Sequence, residues 1–245
     1  MAKLDKSQYT KEQWKIVRDK RRQEKKEKAL AQERIVEEKK RTEEWQRLYG
    51  ETIIEKTPQN YVMCLKHGSK YSHKYVNTLY SMVKRNLTIP HKFVCLTDDP
   101  KGIDKDIKIL PLPKELTGWW CKPYMYSADL PLAFDSTILY MDLDVVISGN
   151  LNKLFEYETN NWCVIRDFTR AMQPKWEKYN SSVVRFKLGE LRHVWEDFIK
   201  DPKKIIQSHF GDQDWLWTSA KGTAKTWPDE WIQSWKWEIR KDRSL

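Results

Sequence analysis

The chain has 245 residues, long enough for a large domain with a sizeable core, and its 45 Lys and Arg against 35 Asp and Glu give a formal charge of +10. The excess is uneven: residues 1–49 hold 16 basic and 10 acidic side chains, so the remainder is close to neutral, which argues against a basic nucleic-acid-binding body. No apolar run reaches the roughly 18 residues of a membrane span, and the N-terminus lacks a signal-peptide core, so a soluble, unsecreted, cytoplasmic protein is expected.

Residues 1–49 contain neither Gly nor Pro, and 26 of them are charged, which sets a boundary near Gly50 between an arm (1–49) and a body (50–245). Lys, Glu, Gln, Arg and Ala dominate the arm, predicting a charged helix that would span on the order of 70 Å if continuous. Arg18 to Lys28 includes no apolar residue, so no coiled-coil seam runs through it; a solvated helix or a partly disordered arm is expected. A rival use of the arm, binding nucleic acid through Lys20–Lys28, is weakened by Glu24 and Glu27 within that run.

From Tyr61 the pattern becomes short apolar runs separated by helical stretches. It predicts a strand at Tyr61–Leu65, a helix at His73–Asn86, and strands at Phe93–Leu96 and Ile107–Leu110. A helix at Lys122–Leu130 follows, then apolar runs at Thr137–Met141 and Val145–Ile147, strands at Trp162–Ile165 and Ser182–Phe186, and helices at Gly189–Lys200 and Asp212–Ser219. Such alternation argues for a three-layer α/β domain with a mainly parallel sheet and ligands beyond the carboxyl ends of its strands. Neither a dinucleotide fingerprint nor a P-loop is present.

Thr137-Ile-Leu-Tyr-Met-Asp-Leu-Asp-Val-Val-Ile147 is the most informative segment, because Asp142 and Asp144 lie between apolar runs, where burial of a carboxylate demands a cation or dense hydrogen bonding. In an extended strand both would share one face and suit Mg²⁺ or Mn²⁺; a strand-end turn whose carboxylates cap a helix is the alternative. Gly211-Asp-Gln-Asp-Trp215 opens a helix, with Asp212 either a plain N-cap or a ligand for sugar hydroxyls. Asn180-Ser181 reads as a loop, and Lys122 near a helix start gains nothing from the dipole unless it holds an anion. The cysteines at 64, 95, 121 and 163 lack zinc spacing and read as reduced structural thiols; the five histidines read as structural. Two glycan-acceptor triplets, at Asn86 and Asn180, carry no weight without secretion.

Together these segments resemble the GT-A nucleotide-diphosphosugar glycosyltransferases, particularly the glycogenin-like retaining galactosyltransferase group, from about Asn60 to Trp217. The resemblance is carried by Val62-Met-Cys-Leu-Lys-His-Gly-Ser-Lys-Tyr71, Lys122, Asp142-Leu-Asp144 as a D-x-D motif, Asn180-Ser-Ser182 and Gly211-Asp-Gln-Asp-Trp-Leu216. It implies a hexosyltransferase with Mn²⁺ or Mg²⁺ as cofactor and a nucleotide-sugar donor, UDP-hexose favoured, acting on a hydroxyl acceptor. By the same resemblance Leu65, Lys66 and Tyr71 would line base and ribose, Asp98 would lie near the nucleotide, and Lys122 would face the diphosphate or sugar. Asp142 would reach ribose and metal and Asp144 metal, while Asn180, Ser181, Asp212 and Gln213 would surround the transferred sugar, the last two as catalytic residues. The family's late metal-binding histidine is missing, since none follows His209; Trp231-Ile-Gln-Ser-Trp-Lys-Trp237 offers Ser234 and Lys236 instead, with Lys236 expected at the diphosphate. A non-catalytic sugar-binding relic is the remaining alternative, disfavoured by the intact acidic set.

Overall fold

The structure, a computed structural model, describes residues 10–11, 13–29, 57–113 and 115–240. The chain divides into two units, residues 1–53 and 54–245. In the first, residues 13–29 are helical, with Ile16 two-thirds exposed and most charged side chains in solvent, as their composition dictates. The boundary expected at Gly50 falls outside the described residues.

The second unit is an α/β layer structure. Its strands are β1 (Asn60–Lys66), β2 (Lys92–Thr97), β3 (Lys108–Pro111), β4 (Thr137–Met141), β5 (Cys163–Arg166), β6 (Tyr179–Lys187) and β7 (Lys225–Thr226). They form one sheet in the order β3-β2-β1-β4-β6-β5-β7. Pairing is parallel from β3 through β4 and between β5 and β7, and antiparallel where β6 meets β4 and β5, so the expected mainly parallel, mixed sheet is present.

Alternate residues of each strand feed two cores. Tyr61, Met63, Val94, Leu96, Ile138, Tyr140, Val184 and Phe186 face one layer, which holds α3 (Arg192–Lys200) and α5 (Asp212–Ala220). Val62, Cys64, Phe93, Cys95, Leu139, Met141 and Val183 face the other, with Val76, Leu79 and Val83 of α1 (His73–Asn86). Two short helices, α2 (Asn152–Glu156) and α4 (Pro202–Ser208), escaped the sequence reading because each is under two full turns and carries little periodicity. All four cysteines are buried and unpaired.

Three expectations are corrected. The segment read as a helix from Lys122 is a 3₁₀ helix at Gly118–Tyr126, and Pro123 inside it denies the backbone donor that an α-helix would need. Asn180 and Ser181 belong to β6 rather than to a loop. The extended strand ends at Met141, so the acidic pair and Val145–Ile147 lie in a turn and coil beyond it.

The C-terminal segment is fastened by two arginines, one ending β5 and one four residues beyond it. Arg166 grips Asp229, and the buried Arg170 binds Glu238 at 3.0 Å and the Ile232 carbonyl at 2.8 Å. The hydrogen bond from Arg166 leads in holding Asp229 below the usual carboxylate range, so this latch contributes stability above that range and loses it as pH falls through the depressed value. Amide exchange of residues 229–239 is therefore expected to accelerate below about pH 4 in the native protein. In Asp229→Asn it should be fast at every pH; an unchanged acid profile in that variant would remove the latch from consideration.

Candidate active site

Antiparallel insertion of β6 places its N-terminal residues at the same sheet edge as the carboxyl ends of β1 and β4. A cavity of about 810 Å³ opens there. Leu65, Tyr71, Lys122, Asp142, Asp144, Asp212 and Gln213 line it, residues from four separate segments that the family resemblance had put at one site.

At the centre lies Lys122, its side chain 13% exposed. Its Nζ reaches Asp142 Oδ1 at 2.8 Å, Asp142 Oδ2 at 3.0 Å and Asp212 Oδ2 at 3.5 Å, and donates to Ser181 Oγ at 3.2 Å. Burial opposes the charge on Lys122, but the Asp212 and Asp142 carboxylates outweigh it and the ammonium titrates above its ordinary range. The anion that Lys122 requires is thus supplied by the protein.

Asp142 also accepts from Tyr140 Oη at 2.7 Å. Tyr140 precedes it by two residues on β4, so the phenol and the carboxylate share a side of the strand; burial first, then Asp142, raises the phenol's pKa. The acidic pair sits in a strand-end turn, as the alternative reading had it, but neither carboxylate caps a helix among the described residues. The same holds for Asp212: the N-cap of α5 is Gly211 and makes no side-chain cap bond, while Asp212 accepts from Ser181 Oγ at 2.6 Å. Gln213 Oε1 accepts from Asn180 Nδ2 at 3.2 Å, so Asn180 and Ser181 stand behind the two α5 residues.

Asp144 is the more exposed of the pair. Its Oδ2 accepts from Tyr71 Oη at 3.0 Å, and desolvation together with Asp144 pushes that phenol up to about 12. Oδ1 of Asp144 accepts no hydrogen bond among the described residues. Two hard carboxylates one residue apart, one with an open oxygen, fit a divalent cation whose other positions are taken by water or phosphate. No group of three or more His, Cys, Asp or Glu able to hold a metal occurs among the described residues.

Lys66 and Asp98 stand behind the cavity wall. The buried Lys66 ammonium reaches the Asp99 carbonyl at 3.3 Å, and both Asp98 oxygens accept from Gly68 N, at 3.1 and 3.0 Å. Gly68 takes φ +62°, a left-handed conformation open to glycine, so these two charges shape the β1–α1 turn that presents Tyr71. Lys236 is not among the lining residues; its exposed ammonium lies 4.8 Å above the Trp237 ring. Ser234 Oγ accepts from Trp237 N at 3.3 Å, capping the last turn.

The far wall went unread in the sequence. Asp167, Thr169, Trp176 and Lys178 from the β5–β6 connection, Tyr179 at the start of β6, and Phe210 and Asp214 also line the cavity. Lys178 Nζ meets Asp214 Oδ1 at 3.1 Å, tying that connection to the first turn of α5. Only proximity in space marks these residues, although the second Asp of Asp212-Gln-Asp214 pointed to the right turn.

No protein-family model matches the chain, and no curated protein matches it. Solved structures do. The glycosyltransferase GlyE of Streptococcus pneumoniae TIGR4 is similar at a TM-score of 0.53 and 16% sequence identity, covering 70% of this chain. An active-site mutant of LgtC is similar at a TM-score of 0.50 and 14% identity, covering 68% of this chain and 72% of LgtC. The chain has the GT-A fold. It spans 46% of the length of GlyE. Within that GT-A fold the cavity occupies the edge where open α/β sheets hold their ligands.

Proposed function

We propose that the chain is a glycosyltransferase that moves a hexosyl group, with retention, from a nucleotide-diphosphosugar, UDP-hexose favoured, to a hydroxyl acceptor. The observation that carries this reading is the gathering of Tyr71, Lys122, Asp142, Asp144, Asp212 and Gln213 around one cavity at the ligand edge of a GT-A fold. Tyr71 and Leu65 offer an aromatic and an apolar face to the base. Asp144 faces the diphosphate side, while Asp212 and Gln213 face the sugar.

Mn²⁺ or Mg²⁺ held by Asp142 and Asp144 would supply Lewis-acid stabilisation of the departing diphosphate. The residues themselves do the rest. Ser181 and Lys122 fix the Asp212 carboxylate, which favours positive charge developing at the anomeric carbon. Asn180 occupies the Gln213 carbonyl, leaving the Gln213 amide to donate to a sugar hydroxyl. Lys66 and Asp98 keep the Tyr71 turn in place, and we assign Lys236 to the diphosphate in the donor complex.

Four buried, unpaired thiols accord with a reducing compartment, and we place the enzyme in the cytoplasm. No helix among the described residues is long and apolar enough to cross a membrane. The direct test is incubation with a panel of nucleotide sugars, reading released nucleoside diphosphate. Release from one donor above all others is expected, and no release from any would reject the proposal.

The arm (1–49) is assigned no part in the chemistry. Deleting residues 1 to about 45 is expected to leave a body that unfolds cooperatively and binds nucleotide with unchanged affinity. Loss of cooperative unfolding on denaturant titration would make the arm integral to the body.

A further inference from the structure

The Asp142 carboxylate already has a cation. Both of its oxygens lie within 3.0 Å of the Lys122 ammonium, and Oδ1 accepts in addition from Tyr140. A divalent ion on Asp142 and Asp144 would seek the same oxygens, and two cations in contact with one half-buried carboxylate repel more strongly than they would in bulk water. Lys122 has a second seat prepared: Asp212 Oδ2 lies at 3.5 Å, and Ser181 Oγ at 3.2 Å touches both Lys122 and Asp212.

We infer that Lys122 is the resident cation of the Asp142 carboxylate, competing with the divalent ion for it and passing to Asp212 and Ser181 when that ion binds. This rests on the metal-assisted reading above but concerns a residue given there only the task of fixing Asp212. Lys122 is a positioning residue in this sense. Its ammonium neutralises the Asp142 carboxylate while no divalent ion is bound, and reinforces the Asp212 carboxylate once that ion is in place. Metal occupancy and the electrostatics of Asp212 are thereby coupled through one side chain.

The test uses the full chain and Mn²⁺ alone, without nucleotide, titrated calorimetrically and by the loss of the free-ion spin-resonance signal. Lys122→Gln keeps hydrogen-bond donors for both carboxylates and is the variant least liable to unfold; Lys122→Met removes them, and Lys122→Arg keeps the charge. The expected result is a Kd for Mn²⁺ at least about tenfold lower in Lys122→Gln and Lys122→Met than in the native protein, with Lys122→Arg near the native value. Thermal melts should show the same ordering, the neutral variants gaining more from Mn²⁺ than the native protein does. Equal or weaker Mn²⁺ affinity in folded Lys122→Gln overturns the competition, as does the absence of Mn²⁺ binding by every variant. The donor panel on the native protein tests transfer separately, so failure of either idea is read on its own.

Discussion

Asp144→Asn is expected to lower transfer by on the order of a thousandfold, about 4 kcal/mol of transition-state stabilisation, while leaving the fold intact. The carboxylate lies beyond the end of β4, exposed to the cavity, and its one hydrogen bond among the described residues comes from Tyr71 Oη. An amide oxygen can accept that bond equally well, so folding loses little. A neutral oxygen cannot hold a divalent cation against water and diphosphate, so the charge is what matters. Donor turnover with saturating Mn²⁺, set beside a thermal melt, separates the outcomes. Undiminished turnover in the variant would reject the role in cation binding, and an insoluble variant would make Asp144 structural.

The largest loss of stability is expected at a residue outside the cavity. Arg185 is 3% exposed in the middle of β6, where it donates to the carbonyls of Leu154, Phe155, Tyr157, Glu158 and Asn161 and to Cys163 Sγ. Burial pulls the guanidinium pKa down, yet a group of this kind stays charged at any ordinary pH. It gathers the whole segment from α2 to β5 by its backbone acceptors. Arg185→Met fits the space but leaves those carbonyls without donors, and a cost of about 3–5 kcal/mol is expected, or roughly 10 °C in melting temperature. Urea unfolding of the variant measures it, and a change below about 1 kcal/mol would mean that water replaces the guanidinium freely.

Much of the sheet was legible because its strands are buried on both faces and so appear as short, unbroken apolar runs, as in Thr137–Met141 and Phe93–Leu96. The acidic pair was legible for the complementary reason: charges abutting such runs are costly unless something answers them. What answers Asp142 was harder to see. Lys122 sits 20 residues upstream and Tyr140 looked like ordinary core, and only the fold brings both onto one carboxylate. The 3₁₀ helix holding Lys122 was misread because apolar content there mimics helical periodicity while Pro123 forbids it. Arg185 passed as one polar residue in a strand, since no local pattern signals that five carbonyls from residues 154–161 will converge on it. The far wall of the cavity, Trp176 and Lys178 among it, belongs to a connection whose path follows from the strand order rather than from its own composition.

The reversed strand β6 carries two duties along its length. Its start sets Asn180 and Ser181 behind the cavity residues Gln213 and Asp212, and its latter half sends Arg185 into the opposite layer. Ser181 and Arg185 are four residues apart, which regular alternation would put on one face; they serve opposite layers because the register against β5 shifts between Val184 and Asn180, so a single residue inserted or deleted there would turn one of these ends inside out. Descendants of this chain are therefore free to lengthen the β5–β6 connection, and with it to reshape what the cavity admits, but not to change the count within the strand. Diversification is channelled to one wall, and recombination of variants should succeed at crossover points before Tyr179 or after Lys187 and fail between them.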